Sequence, residues 1–138
     1  MQLKCPFAAS ITARRADCAK ATQVVRRGGS EYDCSDAQAH ARCTALFARL
    51  KPVGLSVFAV EDDLTQMPHS VLVKIQGGGL AGLQRLAGQS AERIADIDTL
   101  ITHAVDDAGG VDGIAVDALG ADMDAYRLER RSRRKGRI

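Results

Sequence analysis

All four cysteines of this chain fall within its first 43 residues, spaced Cys5-x12-Cys18-x15-Cys34-x8-Cys43, and none occurs in the 95 that follow. If they act together, the fold must gather four well-separated points of one short segment. A continuous helix cannot do this. Nine residues of helix between Cys34 and Cys43 would place their Cα atoms about 13 Å apart. That gap is too wide for a disulfide and strained for joint ligation of one small cluster. A shared site therefore demands a bend near Gly28-Gly29 and a non-helical stretch before Cys43.

The rest of the chain is ordinary for a globular protein, with 46% hydrophobic and 26% charged residues over 138 positions. That length suits one domain with a real core. Aromatics make up only 4% and Trp is absent, so Ala, Val, Leu and Ile must build the core. The formal charge of +2 conceals a partition. Residues 1–51 carry nine Lys/Arg against four Asp/Glu, and residues 52–126 carry three against twelve. Residues 127–138 carry seven against one. The expected organisation is a single domain over 1–126, with the cysteine-bearing segment 1–51 packed on it and a basic tail over 127–138.

Periodicity predicts a mainly α fold. Phe7, Ile11, Cys18 and Val25 form a stripe on a helix from Pro6 to about Arg27, ended by Gly28-Gly29. Ser35-Asp36-Ala37-Gln38 has the form of a capping box. It precedes a helix carrying Ala39, Cys43, Leu46, Phe47 and Leu50, which stops before Pro52. Ser56–Val60 and Ser70–Ile75 read as short strands of a two-stranded element in the middle of the chain, although the second also suits a helix start after Pro68. Gly77-Gly78-Gly79 reads as a break. Ile94, Ile97, Ile101, Ala104, Val105 and Ala108 mark the clearest helix, ended by Gly109-Gly110. A last helix is expected from about Val111 to Arg131.

Four thiolates satisfy either tetrahedral zinc or one four-iron, four-sulfur cluster. Structural zinc sites favour tight pairs such as C-x2-C, and no tight pair occurs here. Wide spacing suits a cluster, whose iron corners are spread out. Cys5-Pro6 matches a dipeptide of many ferredoxins, but the C-x2-C-x2-C run is missing and two residues assign no family. The competing reading is a set of buried thiols packing as small hydrophobes, for which Cys18 and Cys43 on apolar faces are suited.

Other motifs are less specific. Gly77-Gly78-Gly79-Leu80-Ala81-Gly82 contains G-x-G-x-x-G, with Asp96 or Asp98 near the place of a ribose-binding acid. Those aspartates fall in a helix rather than at a strand end, and the βαβ pattern is missing. His40 lies between Cys34 and Cys43, where it is a substitute ligand, a tuning hydrogen-bond donor, or simply solvent-facing. His69 falls in a loop and His103 beside an apolar stripe. Glu61-Asp62-Asp63 reads as a solvated acidic turn. The basic tail suits phosphates but lacks aromatic interleaving.

No catalytic set is evident, so the protein is read as an electron carrier or accessory subunit rather than an enzyme. The expected cofactor is a 4Fe-4S cluster on Cys5, Cys18, Cys34 and Cys43, with zinc as the alternative. The expected partner is a larger redox protein. Nucleic acid, bound through the tail of a zinc- or thiol-containing regulator, is the second possibility, and a nucleotide-binding enzyme at Gly77–Gly82 the third. With no targeting segment or spanning run visible, a cytoplasmic location is expected.

Overall fold

The glycine run at 77–79 lies inside a helix. In the computed structural model, which describes residues 3–27, 29–59, 69–89 and 93–127, His69–Leu86 forms one uninterrupted α-helix, α3. Its valines and Ile75 have strand-like propensity, but burial on neighbouring helices overrides that weak preference. Val73, Ile75, Leu80 and Leu83 are all buried. The glycines are packing devices. A methyl group on Gly78 would lie 2.3 Å from the Met123 Cα, and one on Gly77 would lie 2.3 Å from the Tyr126 ring. Gly82 faces Leu119 and Asp122, and Gly79 faces Leu50. The missing side chains let α3 meet the Met123 backbone directly and let Leu50, Leu119 and Tyr126 pack against its glycines.

Ala8–Thr12 forms the short α1, and Ala37–Val57 forms the long α2. Ile97–Ala108 forms α4, and Gly120–Ala125 forms α5, preceded by 3-10 turns at Val111–Gly113 and Val116–Leu119. Strands β1 (Ala21–Arg26) and β2 (Gly29–Cys34) pair antiparallel from Ala21↔Cys34 to Arg26↔Gly29. The protein is thus mainly helical with one short two-stranded sheet. The expected class holds, but the sheet lies in the cysteine-bearing third. Ser56 and Val57 end α2, and Ser70–Ile75 belongs to α3.

The helix expected from Pro6 to Arg27 ends at Thr12. Arg14 takes a left-handed backbone with φ 63°, which stops propagation. Val25, expected on its apolar stripe, is 83% exposed on β1. The bend expected at Gly28-Gly29 falls between the paired strands β1 and β2, and Gly28 itself lies outside the described residues. Arg26 reinforces the hairpin through Glu31 and Asp33. Helix α2 continues through Pro52, despite the lost backbone bond, because Leu46, Leu50, Gly54 and Leu55 bury its face on both sides of the proline. Its N-cap is Asp36, whose carboxylate accepts from the Gln38 and Ala39 N–H groups, rather than Ser35. The last expected helix is broken into two 3-10 turns and α5, and Gly113 abuts the Ala108 carbonyl too closely for any side chain. Helix α4 ends as expected, at Gly109 in the left-handed conformation.

One apolar core unites these elements. Phe7, Leu46, Leu50, Ile75, Ile101, Leu119 and Met123 are among its members. Buried Gln76 of α3 clamps the N-terminal segment, donating to the Pro6 carbonyl at 2.8 Å and accepting from the Ser10 N–H at 3.2 Å. Among the described residues no helix is long and apolar enough to cross a membrane. The tail beyond Arg127 and the acidic stretch Glu61-Asp62-Asp63 lie outside the described residues.

The close approach of α5 to Gly78 makes this position intolerant. A Gly78→Ala change is expected to lower the unfolding free energy by about 1–3 kcal/mol through overpacking against backbone that cannot rotate away. Urea unfolding of the two proteins measures the difference.

Candidate metal centre

The four cysteines come from four different local structures. Cys5 precedes α1 on an extended segment along the free edge of β2. Its N–H donates to the Tyr32 carbonyl at 2.9 Å, and the Cys34 N–H donates to the Leu3 carbonyl at 2.7 Å. Cys34 ends β2, opposite Ala21. Cys43 lies on the second turn of α2. Cys18 sits in the loop between α1 and β1, which runs beside the residues leading into α4. There the Ile97 N–H donates to Asp17 O at 2.8 Å, and the Ala19 N–H donates to the Asp96 carboxylate at 2.9 Å.

These segments converge, and all four cysteines line one pocket. The helix does not begin near Cys43 as the shared-site reading requires. Cys34 ends a strand, so helical rise applies only from Ala37 to Cys43, about 9 Å over six residues. The required non-helical stretch ends earlier than expected, at Asp36, because α2 starts at Ala37.

All four thiols are free. The pocket they share with Lys20, His40 and Asp98 leaves about 10 Å³, room for about one water molecule. A larger group requires the thiols to rotate outward. Among the described residues no three His, Cys, Asp or Glu side chains are close enough to hold a single metal ion.

Burial and mutual repulsion dominate the electrostatics. The Cys43 thiol is pushed from 9.0 up to about 12, chiefly by burial and then by the other three cysteines. Cys5 is pushed up to about 11, again chiefly by burial, and a hydrogen bond from the Phe7 N–H opposes the shift. Burial also raises Cys18, against hydrogen bonds from the Lys20 and Asp98 N–H groups. The Cys34 thiol donates to the Asp36 carbonyl at 3.2 Å. Cys5, Cys18 and Cys43 are not activated nucleophiles, which need a lowered pKa. The backbone donors nevertheless aim at sulfur, where they favour negative charge.

A charged frame surrounds the thiols, and the cysteine spacing gave no signal for it. Lys20 Nζ pairs with Asp98 at 3.0 Å and Asp36 at 3.3 Å. Arg42, beside Cys43, pairs with the same Asp98 at 2.9 Å and donates to Thr102. Asp96 caps α4, accepting from the Asp98 N–H and the Thr99 hydroxyl. Its place before an apolar run is the one signal that marks this corner in sequence. His40 Nε2–H donates to the Lys4 carbonyl at 3.0 Å and lines the pocket, so it ties α2 to the Cys5 segment instead of facing solvent alone. His69 begins α3. His103 lies 3.4 Å from Asp107 on α4, well along the helix from the cysteines.

The Gly77–Gly82 nucleotide loop does not exist. Those residues are helical, and their open faces are filled by Leu50, Leu119, Met123 and Tyr126. A cavity of about 170 Å³ between α3 and α4 is lined mainly by aliphatic residues, with His103 and Asp107 at its edge.

The raised thiols predict a pH dependence of the metal-free protein. Their folded pKa values exceed the unfolded ones, so the folded state keeps protons that the unfolded chain releases. The associated stability is present below about pH 9 and is lost as pH climbs through about 11–12. Urea midpoints should fall across that range, and less steeply in Cys43→Ala. No family model, curated protein or solved structure matches this chain, and the chemistry of the site follows from its own residues.

Proposed function

We propose that Cys5, Cys18, Cys34 and Cys43 hold one 4Fe-4S cluster, and that the protein carries single electrons for, or serves as an accessory or regulatory subunit of, a larger redox enzyme. The observation that carries this reading is the convergence of four thiols from four separate elements on one pocket. Structural zinc sites favour tight cysteine pairs, and the spacing of these four contains none. The donor set fits: four cysteines, with amide N–H groups directed at Cys5 and Cys18. Raised thiol pKa values speak against thiolate catalysis, and bound iron would displace the thiol protons. When bound, the cluster supplies one-electron chemistry. The protein's part is to exclude water and set the surrounding charge. A reducing, cytoplasmic setting suits four cysteines kept out of disulfides.

Anaerobic native purification tests the reading. The expected product is brown, with visible thiolate-to-iron absorption and about four iron and four sulfide ions per chain. Each single Cys→Ser variant should lose most of its iron. Colourless protein with stoichiometric zinc, or wild-type iron in all four variants, would overturn it.

A further inference from the structure

A hollow of about 170 Å³ lies toward the C-terminal end of α4, whereas the cysteine pocket meets the first turn of that helix. For scale, an apolar cavity of about 150 Å³ stays dry and holds a benzene-sized guest. Leu83, Leu100 and Ile114 form the buried floor. The space exists because the residues around it are short. Ala104 and Ala108 stand one turn apart on α4, and Ala87 follows α3 on the other side. Gly113 leaves the space open, since a methyl group there would lie 2.2 Å from the Ala108 carbonyl oxygen. Leu86, the last residue of α3, lines the same hollow with 51% of its surface exposed. An exposed leucine beside an unfilled apolar floor makes this an open cavity for an apolar guest.

The rim gives the cavity a sign. His103 and Asp107, also one turn apart on α4, are its exposed polar members, with His103 Nδ1 lying 3.4 Å from Asp107 Oδ2. Among the described residues, Asp107 is the only carboxylate in the lining, which holds no Lys or Arg. The carbonyl end of α4, at Ala108, adds partial negative charge one residue away. Arg49 and Arg85, on the neighbouring helices, are engaged elsewhere. Arg49 donates to the Val111 and Ile114 carbonyls, and Arg85 to Asp122. We propose that this cavity binds a small primary amine with an apolar body of about six to eight carbon atoms. The body lies on Leu83, Leu100 and Ile114, and the ammonium pairs with Asp107 at the rim. An anion of the same shape meets repulsion from that carboxylate. The site stands independently of the cluster reading, because it shares no residue with the cysteine pocket.

The test titrates the full-length protein with benzylamine, benzyl alcohol and benzoate, followed by calorimetry and by the amide NMR signals of α4. Benzylamine is expected to saturate, with the strongest shifts at Ala104 and Ala108. It should bind about two- to fivefold tighter than benzyl alcohol, the preference that one exposed charge pair gives. Asp107→Asn should remove this preference and leave the affinity for benzyl alcohol unchanged. Ala104→Leu puts a side chain into the hollow and should abolish binding of both guests. Benzoate binding as tightly as benzylamine, an unchanged preference in Asp107→Asn, or full binding by a folded Ala104→Leu overturns the proposal. A lack of saturation by benzylamine up to about 10 mM overturns it as well. If Ala104→Leu does not fold, Asp107→Asn, a substitution at an exposed position, decides alone.

Discussion

The backbone-level contact between α3 and α5 organises this protein. With no side chain on Gly78, Met123 can lie against the α3 backbone, and Gly77 and Gly82 make room for Tyr126 and Leu119. On another face of the same helix, Gly79 admits Leu50 of α2, while Gly54 of α2 admits Ile75. One helix is thereby buried against two others with very few large aromatic residues. The same helix projects Gln76 onto the segment between Cys5 and α1. The cysteine-bearing third contributes Phe7, Ile11, Cys43, Leu46 and Leu50 to the same core.

At the thiol site two tendencies oppose each other. Burial and mutual repulsion favour protonated, neutral sulfur, whereas backbone N–H groups from Phe7, Lys20 and Asp98 favour negative sulfur. The paired charges of Lys20, Asp36, Arg42 and Asp98 form a nearly balanced frame around the thiols.

Local signals were legible where a side chain acts on its own backbone. The Ser35-Asp36-Ala37-Gln38 signal and the apolar stripe marked α2, although its cap is Asp36 rather than Ser35, and Gly109 marked the end of α4. They misled where packing outweighs propensity. Val71, Val73 and Ile75 look like a strand but are held helical by burial. Pro52 looks like a stop, but the burial on either side outweighs one missing hydrogen bond. Phe7, Ile11, Cys18 and Val25 share helical spacing, yet Val25 points to water on a hairpin. A period of four and seven over four residues cannot tell one long helix from a short helix, a loop and a strand.

By itself, the sequence determined a mainly helical chain, a break at Gly28-Gly29, and a cysteine set confined to one third of the molecule. Those properties are local or compositional, and they follow from backbone preferences and counting. Only the tertiary structure decided that the four cysteines meet, that the triple glycine is a helix contact instead of a loop, and that Asp98 joins Lys20 to Arg42. These depend on residues up to 78 positions apart along the chain. Their proximity is set by which apolar faces bury one another, and no local pattern encodes it.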